Sequence, residues 1–147
     1  MTGSSVSDFR AGAAACSLEP PLGLPMPGFV RSQDGASGYG LPLEATALVL
    51  ERGPTRVVLC GVDTLCIQTP EIDAIRRRVA EEAGAEISGV LLNWNHTHRA
   101  PPSSRAFVRR SGLLVTDGDS RLDDYAGLLE EQIVAAAVHA VERLEPA

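Results

Sequence analysis

Two apolar runs separated by a helix-length segment constrain this chain more than any other feature. The first, Arg56-Val57-Val58-Leu59-Cys60-Gly61-Val62, is rich in β-branched residues and reads as a buried strand. The second runs from Ile87 to Trp94 and reads the same way. Between them, Thr69-Pro70-Glu71 has the chemistry of a helix start: a capping hydroxyl, a proline in the first turn and an acid near the positive end of the helix dipole. Ile72, Ile75, Val79 and Ala83 then recur at helical spacing, and Gly84 can end the helix. Strand, helix, strand over residues 56–94 predicts a right-handed crossover with parallel strands. Parallel strands end at one edge of their sheet. Asp63, after the first, and His96, after the second, should therefore emerge together at the carboxyl edge, where open α/β sheets place their sites.

The flanking segments fill out an α/β fold. Glu44 to Glu51 is strand-like, Gly53-Pro54 is a turn, and with the run from Arg56 they form a hairpin. Phe9 to Ala15 reads as a short strand. From Pro20 to Gly28 there are six prolines or glycines, which excludes regular helix and makes a loop that continues through Gly35, Gly38 and Gly40. Residues 99–120 form another loop. Arg121 to Leu144 is a long helix with Leu122, Leu129, Ile133, Ala136, Ala140 and Leu144 among its apolar positions, stopped by Glu145-Pro146-Ala147. Residues 1–8 read as disordered and residues 9–147 as one domain. The expected architecture is a mixed sheet with a βαβ unit and a long C-terminal helix.

Composition excludes several functions. A net charge of −6, with one short basic cluster at Arg105 to Arg110, gives no footprint for nucleic acid. Met1 to Asp8 lacks the apolar core of a signal peptide, and no apolar run approaches the length of a membrane span. A cytoplasmic location is expected. Cys16, Cys60 and Cys66 are odd in number and lack zinc-finger spacing, so free thiols in a reducing compartment are expected. There is no Walker motif and no glycine-rich phosphate cradle.

The segment Asn93-Trp94-Asn95-His96-Thr97-His98-Arg99-Ala100-Pro101 concentrates the chemistry and holds two of the three histidines. In an extended segment His96 and His98 point to one side, with Cα atoms roughly 6.5–7 Å apart. Both imidazoles can then serve one ion. Alternatively one binds metal and the other donates to substrate, or both are satisfied by backbone at a strand end. Zinc takes three or four protein ligands, so the pair alone is an incomplete site. Asp63 can orient a histidine from behind or serve as a turn carboxylate. Asn95 can orient substrate or form a turn. Arg99 can bind an anionic group or be a solvated charge. Ser103 and Ser104 have no adjacent base motif, and His139 lies alone among alanines.

The order of these pieces resembles the N-terminal part of the neutral/alkaline non-lysosomal ceramidase family. The residues that carry the resemblance are Ser17-Leu18-Glu19-Pro20-Pro21-Leu22-Gly23, Pro27-Gly28-Phe29, Pro42-Leu43, Ala47-Leu48-Val49-Leu50, Val57 to Asp63, Asn95-His96-Thr97-His98-Arg99-Ala100-Pro101 and Ala140 to Ala147. The resemblance implies that this chain is part of a larger ceramidase-like α/β domain and of a zinc-dependent amide hydrolase. His96 would be the zinc ligand and His98 catalytic, holding substrate or the developing oxyanion; Asp63, from its place on the same sheet edge, is expected to be catalytic with it. Arg99 and Asn95 would bind a small-molecule or lipid-like amide substrate. Arg99-Ala100 replaces the family's Ser-Gly and points toward a more acidic or polar substrate. Family members are much longer, and their remaining ligands lie beyond the matched region. The expectation is therefore a second polypeptide that completes the fold and the metal site. The alternatives are a non-catalytic binding or structural subunit of the same fold and a metal-dependent acyl transferase or cyclase.

Overall fold

The computed structural model describes residues 8–26, 28, 35–102 and 120–147. Among them, strands β1 (Phe9–Ser17), β2 (Glu44–Arg52), β3 (Thr55–Val62), β4 (Val90–Trp94) and β5 (Glu145–Pro146) form one sheet in the order β4-β3-β2-β1-β5. Helices α1 (Thr69–Ala83) and α2 (Ser120–Glu142) complete the architecture. The β3–β4 pair is parallel and the other pairs are antiparallel, so the sheet is mixed and the predicted βαβ unit is present.

Strand periodicity decides which face is covered. Ala45, Ala47 and Val49 of β2, Val58, Cys60 and Val62 of β3, and Val90 and Leu92 of β4 are buried and share one face. They form a single cluster with Ile75, Val79 and Ala83 of α1 and with Leu129, Ile133, Ala136 and Ala140 of α2. A fully buried Ile or Leu in such a cluster contributes roughly 1.5–3 kcal/mol. Gly12 lets α2 close on β1: a Cβ there would lie 2.1 Å from the Ala140 carbonyl oxygen. Arg78 joins the helices through Glu130 and Glu131 at 2.7 and 2.8 Å. Burial pushes the Cys60 thiol up to about 11, and all three cysteines are free thiols.

The opposite face of the sheet carries Ala13 and Ala15 of β1, Leu48 of β2, Val57 and Leu59 of β3 and Leu91 of β4. Leu48 and Leu91 are 37% and 59% exposed. Charged residues of this face, Glu44, Arg52 and Asp63, stand at its margins. No helix among the described residues is long and apolar enough to cross a membrane.

Several element boundaries differ from the sequence reading. Gln68 rather than Thr69 caps α1, its backbone N–H donating to the Glu71 carboxylate at 3.2 Å. Ile87–Gly89 forms a 3₁₀ turn instead of the first residues of β4. The turn is held by the Gly89 N–H donating to the Glu86 carbonyl at 2.8 Å and by the Arg76 guanidinium donating to the Ile87 carbonyl at 2.9 Å. The strand β1 runs two residues past Ala15, and Glu145–Pro146 does more than stop α2: it pairs with Arg10 and Ala11 as a short edge strand. The expected disorder of residues 1–8 lies outside the described residues except at Asp8, which pairs with Arg52 at 3.2 Å. Of the loop over residues 99–120, positions 103–119 also lie outside them.

Candidate active site at the carboxyl edge

The parallel register sets Val62 beside Trp94, so Asp63 and Asn95 are the next residues on neighbouring strands. The Asn95 side-chain amide donates to Asp63 Oδ1 at 2.6 Å, and its backbone N–H donates to the Val62 carbonyl at 3.2 Å. The other carboxylate oxygen, Asp63 Oδ2, accepts from the Glu44 N–H at 2.9 Å. One carboxylate therefore ties together the ends of β3 and β4 and the start of β2. Beyond it the loop is held by its own side chains. Asn95 Oδ1 accepts from the Thr97 N–H at 3.1 Å, and Thr97 Oγ1 accepts from the Arg99 N–H at 3.3 Å.

His96 departs from the extended conformation assumed from its sequence. Its φ is +56°, in the left-handed region, which costs an ordinary residue about 1–2 kcal/mol. That bend, rather than strand alternation, brings the two imidazoles together: ring centroids lie 5.1 Å apart with planes at 73°. His96 Nδ1 is 2.7 Å from the Leu65 carbonyl oxygen. A carbonyl only accepts, so Nδ1 carries the hydrogen, and a neutral His96 keeps its lone pair on Nε2. A histidine fixed this way by its second nitrogen is prepared to ligate a metal through the first.

The Asp63 oxygens accept from the Glu44 N–H and the Asn95 amide, and the group behind His96 is the Leu65 carbonyl from the β3–α1 connection. Tyr125 of α2 holds the segment that follows β1, its buried hydroxyl donating to the Leu18 carbonyl at 3.1 Å. Burial, with the nearby charge of Asp63, pushes the Tyr125 phenol well above its ordinary value.

A cleft of about 830 Å³ opens beside this loop, lined by Asp63, Asn95, His98 and Arg99 together with the apolar Met26 and Leu41. Gly28 makes a close approach to the same loop: an added Cβ would sit 2.5 Å from both Cα and Cβ of His98. The structure thus brings together His96, His98, Asp63, Asn95 and Arg99, all five residues singled out from the sequence. It adds the Leu65 carbonyl, which no side-chain motif could announce, and Gly28, whose signal was the proline- and glycine-rich run around it. His139 is not in this group and lies 3.6 Å from Cys16 Sγ. Ser103, Ser104 and the Arg105–Arg110 cluster lie outside the described residues. Among the described residues no set of three or more His, Cys, Asp or Glu side chains is placed to hold a metal ion.

The described residues thus form an α/β domain, a helix-backed mixed sheet with a paired-histidine loop at its carboxyl edge. It shares its fold with neutral ceramidase from Pseudomonas aeruginosa, at a TM-score of 0.72 and 19% identity, over 94% of this chain and 22% of that one. A solved ceramidase complexed with C2 matches over the same shares, at a TM-score of 0.71 and 19% identity. The likeness is one of fold, and this chain spans only 22% of the length of those proteins. No family model matches the chain, and no curated protein matches it.

Proposed function

We propose that this chain contributes part of the active site of a zinc-dependent amide hydrolase of ceramidase-like fold, and that a second polypeptide supplies the rest. The observation that carries the reading is the hydrogen bond from His96 Nδ1 to the Leu65 carbonyl, which leaves Nε2 as the donor atom for a metal. The ceramidase fold of the domain supports the same reading. A bound zinc ion would supply Lewis-acid polarisation of an amide carbonyl and activation of water. His98, edge-on to His96 and lining the cleft, holds the substrate carbonyl or the oxyanion that develops on it. Asn95 and Arg99 line the same cleft and bind substrate, and Asp63 positions Asn95.

Since one histidine cannot hold zinc alone, the remaining ligands must come from residues other than those described, in our reading from the second chain. The open apolar sheet face, with its charges at the margins, has the anatomy of a surface that another polypeptide covers. Metal analysis of the complex purified with its partner tests the proposal. The His96→Ala complex is expected to lose its zinc and its amidase activity together. Zinc content unchanged in that variant would remove His96 from the role.

A further inference from the structure

We infer that this chain pairs with a second copy of itself through the outer edge of β1, as an antiparallel two-fold dimer in which Ala15 faces Ala15 of the other copy. The inference rests on the backbone of the sheet and is independent of the hydrolase reading.

The register of the sheet fixes which way the main-chain groups of β1 point. The Ala147 N–H donates to the Phe9 carbonyl at 3.1 Å, so Phe9 turns its groups away from β2. Alternation turns those of Ala11, Ala13, Ala15 and Ser17 the same way. The strand β5 covers only the start of this edge, opposite Arg10 and Ala11. Beyond it, no strand among the described residues pairs with the outward side of Ala13, Ala15 and Ser17. The Ala13 carbonyl accepts from Arg143 at 3.4 Å, and its second lone pair leaves room for another donor. Sheets blunt such edges with charges, prolines or bulges. The covered part carries the first two in Glu145 and Pro146. The stretch Ala13-Ala14-Ala15-Cys16-Ser17 has neither, and its pairing with β2 runs without a bulge.

The open stretch is bounded at both ends. At one end stands β5; at the other β1 itself stops at Ser17, and Pro20 and Pro21 follow. A second β1, run antiparallel, satisfies both limits with Ala15 opposite Ala15 and Ala13 opposite Ser17. A shifted register either drives Ser17 into the place of the other copy's β5 or carries the pairing past the end of β1. The side chains along the seam, Ala13, Ala15 and Ser17, are exposed and small, so the strands can close to the usual spacing of about 4.8 Å.

Charge singles out a second copy over an unrelated strand, which could bond the same backbone. Arg143 stands at the Ala13 end of the seam. The exposed Glu19 stands just beyond the other end, its N–H donating to the Ser17 hydroxyl at 3.2 Å. Antiparallel pairing sets Arg143 of each copy beside Glu19 of the other. Among the described residues neither side chain has an ion-pair partner of its own.

Sedimentation of the purified chain from about 1 µM to about 1 mM reads the dimer, expected with a Kd on the order of 10 µM for so small an interface. Ala15→Pro removes the central N–H donor, and a free edge tolerates proline. That variant should keep its circular dichroism and remain a monomer. Arg143→Glu should weaken pairing about tenfold, and Glu19→Arg added to it should restore the dimer. Cross-linking reads the register. In a chain carrying Cys16→Ser and Cys66→Ser, Ala15→Cys should oxidise to a covalent dimer, its α-carbons about 5.5 Å from their counterparts. Ala13→Cys, about 13 Å from its counterpart, should not. A wild-type chain that stays monomeric at the highest concentration, a dimer that survives Ala15→Pro, or a charge swap that fails to restore pairing would overturn the inference. So would a monomeric chain that pairs through this edge only with a different polypeptide.

Discussion

Removing the carboxylate of Asp63 should loosen three strand ends at once. In Asp63→Ala the Glu44 N–H and the Asn95 amide lose acceptors at 2.9 and 2.6 Å. A hydrogen bond to a charged group contributes about 1.5–3 kcal/mol, but Asp63 is only half-buried, so water replaces part of each. A total cost of about 2–3 kcal/mol follows. With a urea m-value of about 2 kcal/mol/M, the unfolding midpoint should fall by roughly 1 M. Asp63→Asn should be almost as harmful. Its single acceptor oxygen serves one partner, and its NH₂ then meets a second donor. Flipping Asn95 to compensate would turn its amide hydrogens onto the Thr97 N–H. Urea unfolding of Asp63→Ala, Asn95→Ala and the double variant, followed by circular dichroism, measures the pair directly. A coupling of about 1 kcal/mol is expected between two such partners. A cost for Asp63→Ala under about 0.5 kcal/mol, or strictly additive effects of the two changes, would refute the view that this carboxylate anchors the loop.

Two further outcomes follow from other contacts. Gly28→Ala should place a Cβ against the Cα and Cβ of His98, atoms that cannot swing aside, at a cost of about 1–3 kcal/mol; a lowered melting temperature with a shifted His98 ring resonance is the expected signature. Acid should weaken the fold through Glu51 and Glu131. Hydrogen bonding from Arg56, aided by Arg10, holds Glu51 below the usual carboxylate range, and Arg78 does the same for Glu131. Both carboxylates bind fewer protons folded than unfolded, so their contribution is present above the ordinary glutamate value of about 4.3 and lost as pH falls through the lowered folded values. Urea midpoints measured from pH 7 to pH 3 should drop at the acid end, and less steeply in Glu51→Gln.

The elements of this fold were readable because their causes are local. β-Branched runs, the helical spacing of Ile75 and Val79, and Gly84, which ends α1 at φ +64°, each act within a few residues. The chirality of the crossover then carried the reading from local to tertiary, which is why Asp63 and Asn95 were found on neighbouring strand ends. Where the reading slipped, a distant contact had intervened. Ile87–Gly89 is apolar enough for a strand, but its Ile87 carbonyl is taken by the Arg76 guanidinium of α1 and the segment makes a turn. Glu145–Pro146 is too short and too polar to announce itself and becomes a strand only because β1 offers it an edge.

The sequence by itself determined which residues would stand at the carboxyl edge, since strand ends follow from periodicity and from the handedness of the connection. It could not determine how they are turned. The left-handed backbone of His96, and the nitrogen on which it carries its hydrogen, depend on a carbonyl 31 residues away at Leu65. The hydrogen bond between Asp63 and Asn95, 32 residues on, is likewise a matter of which donor arrives within reach once β3 and β4 pair. So is the cleft, which forms where residues 35–43 and Met26 come to lie beside Asp63, Asn95, His98 and Arg99. Hydrogen bonds and close packing act over a few ångströms, and only the folded chain brings these residues within that range.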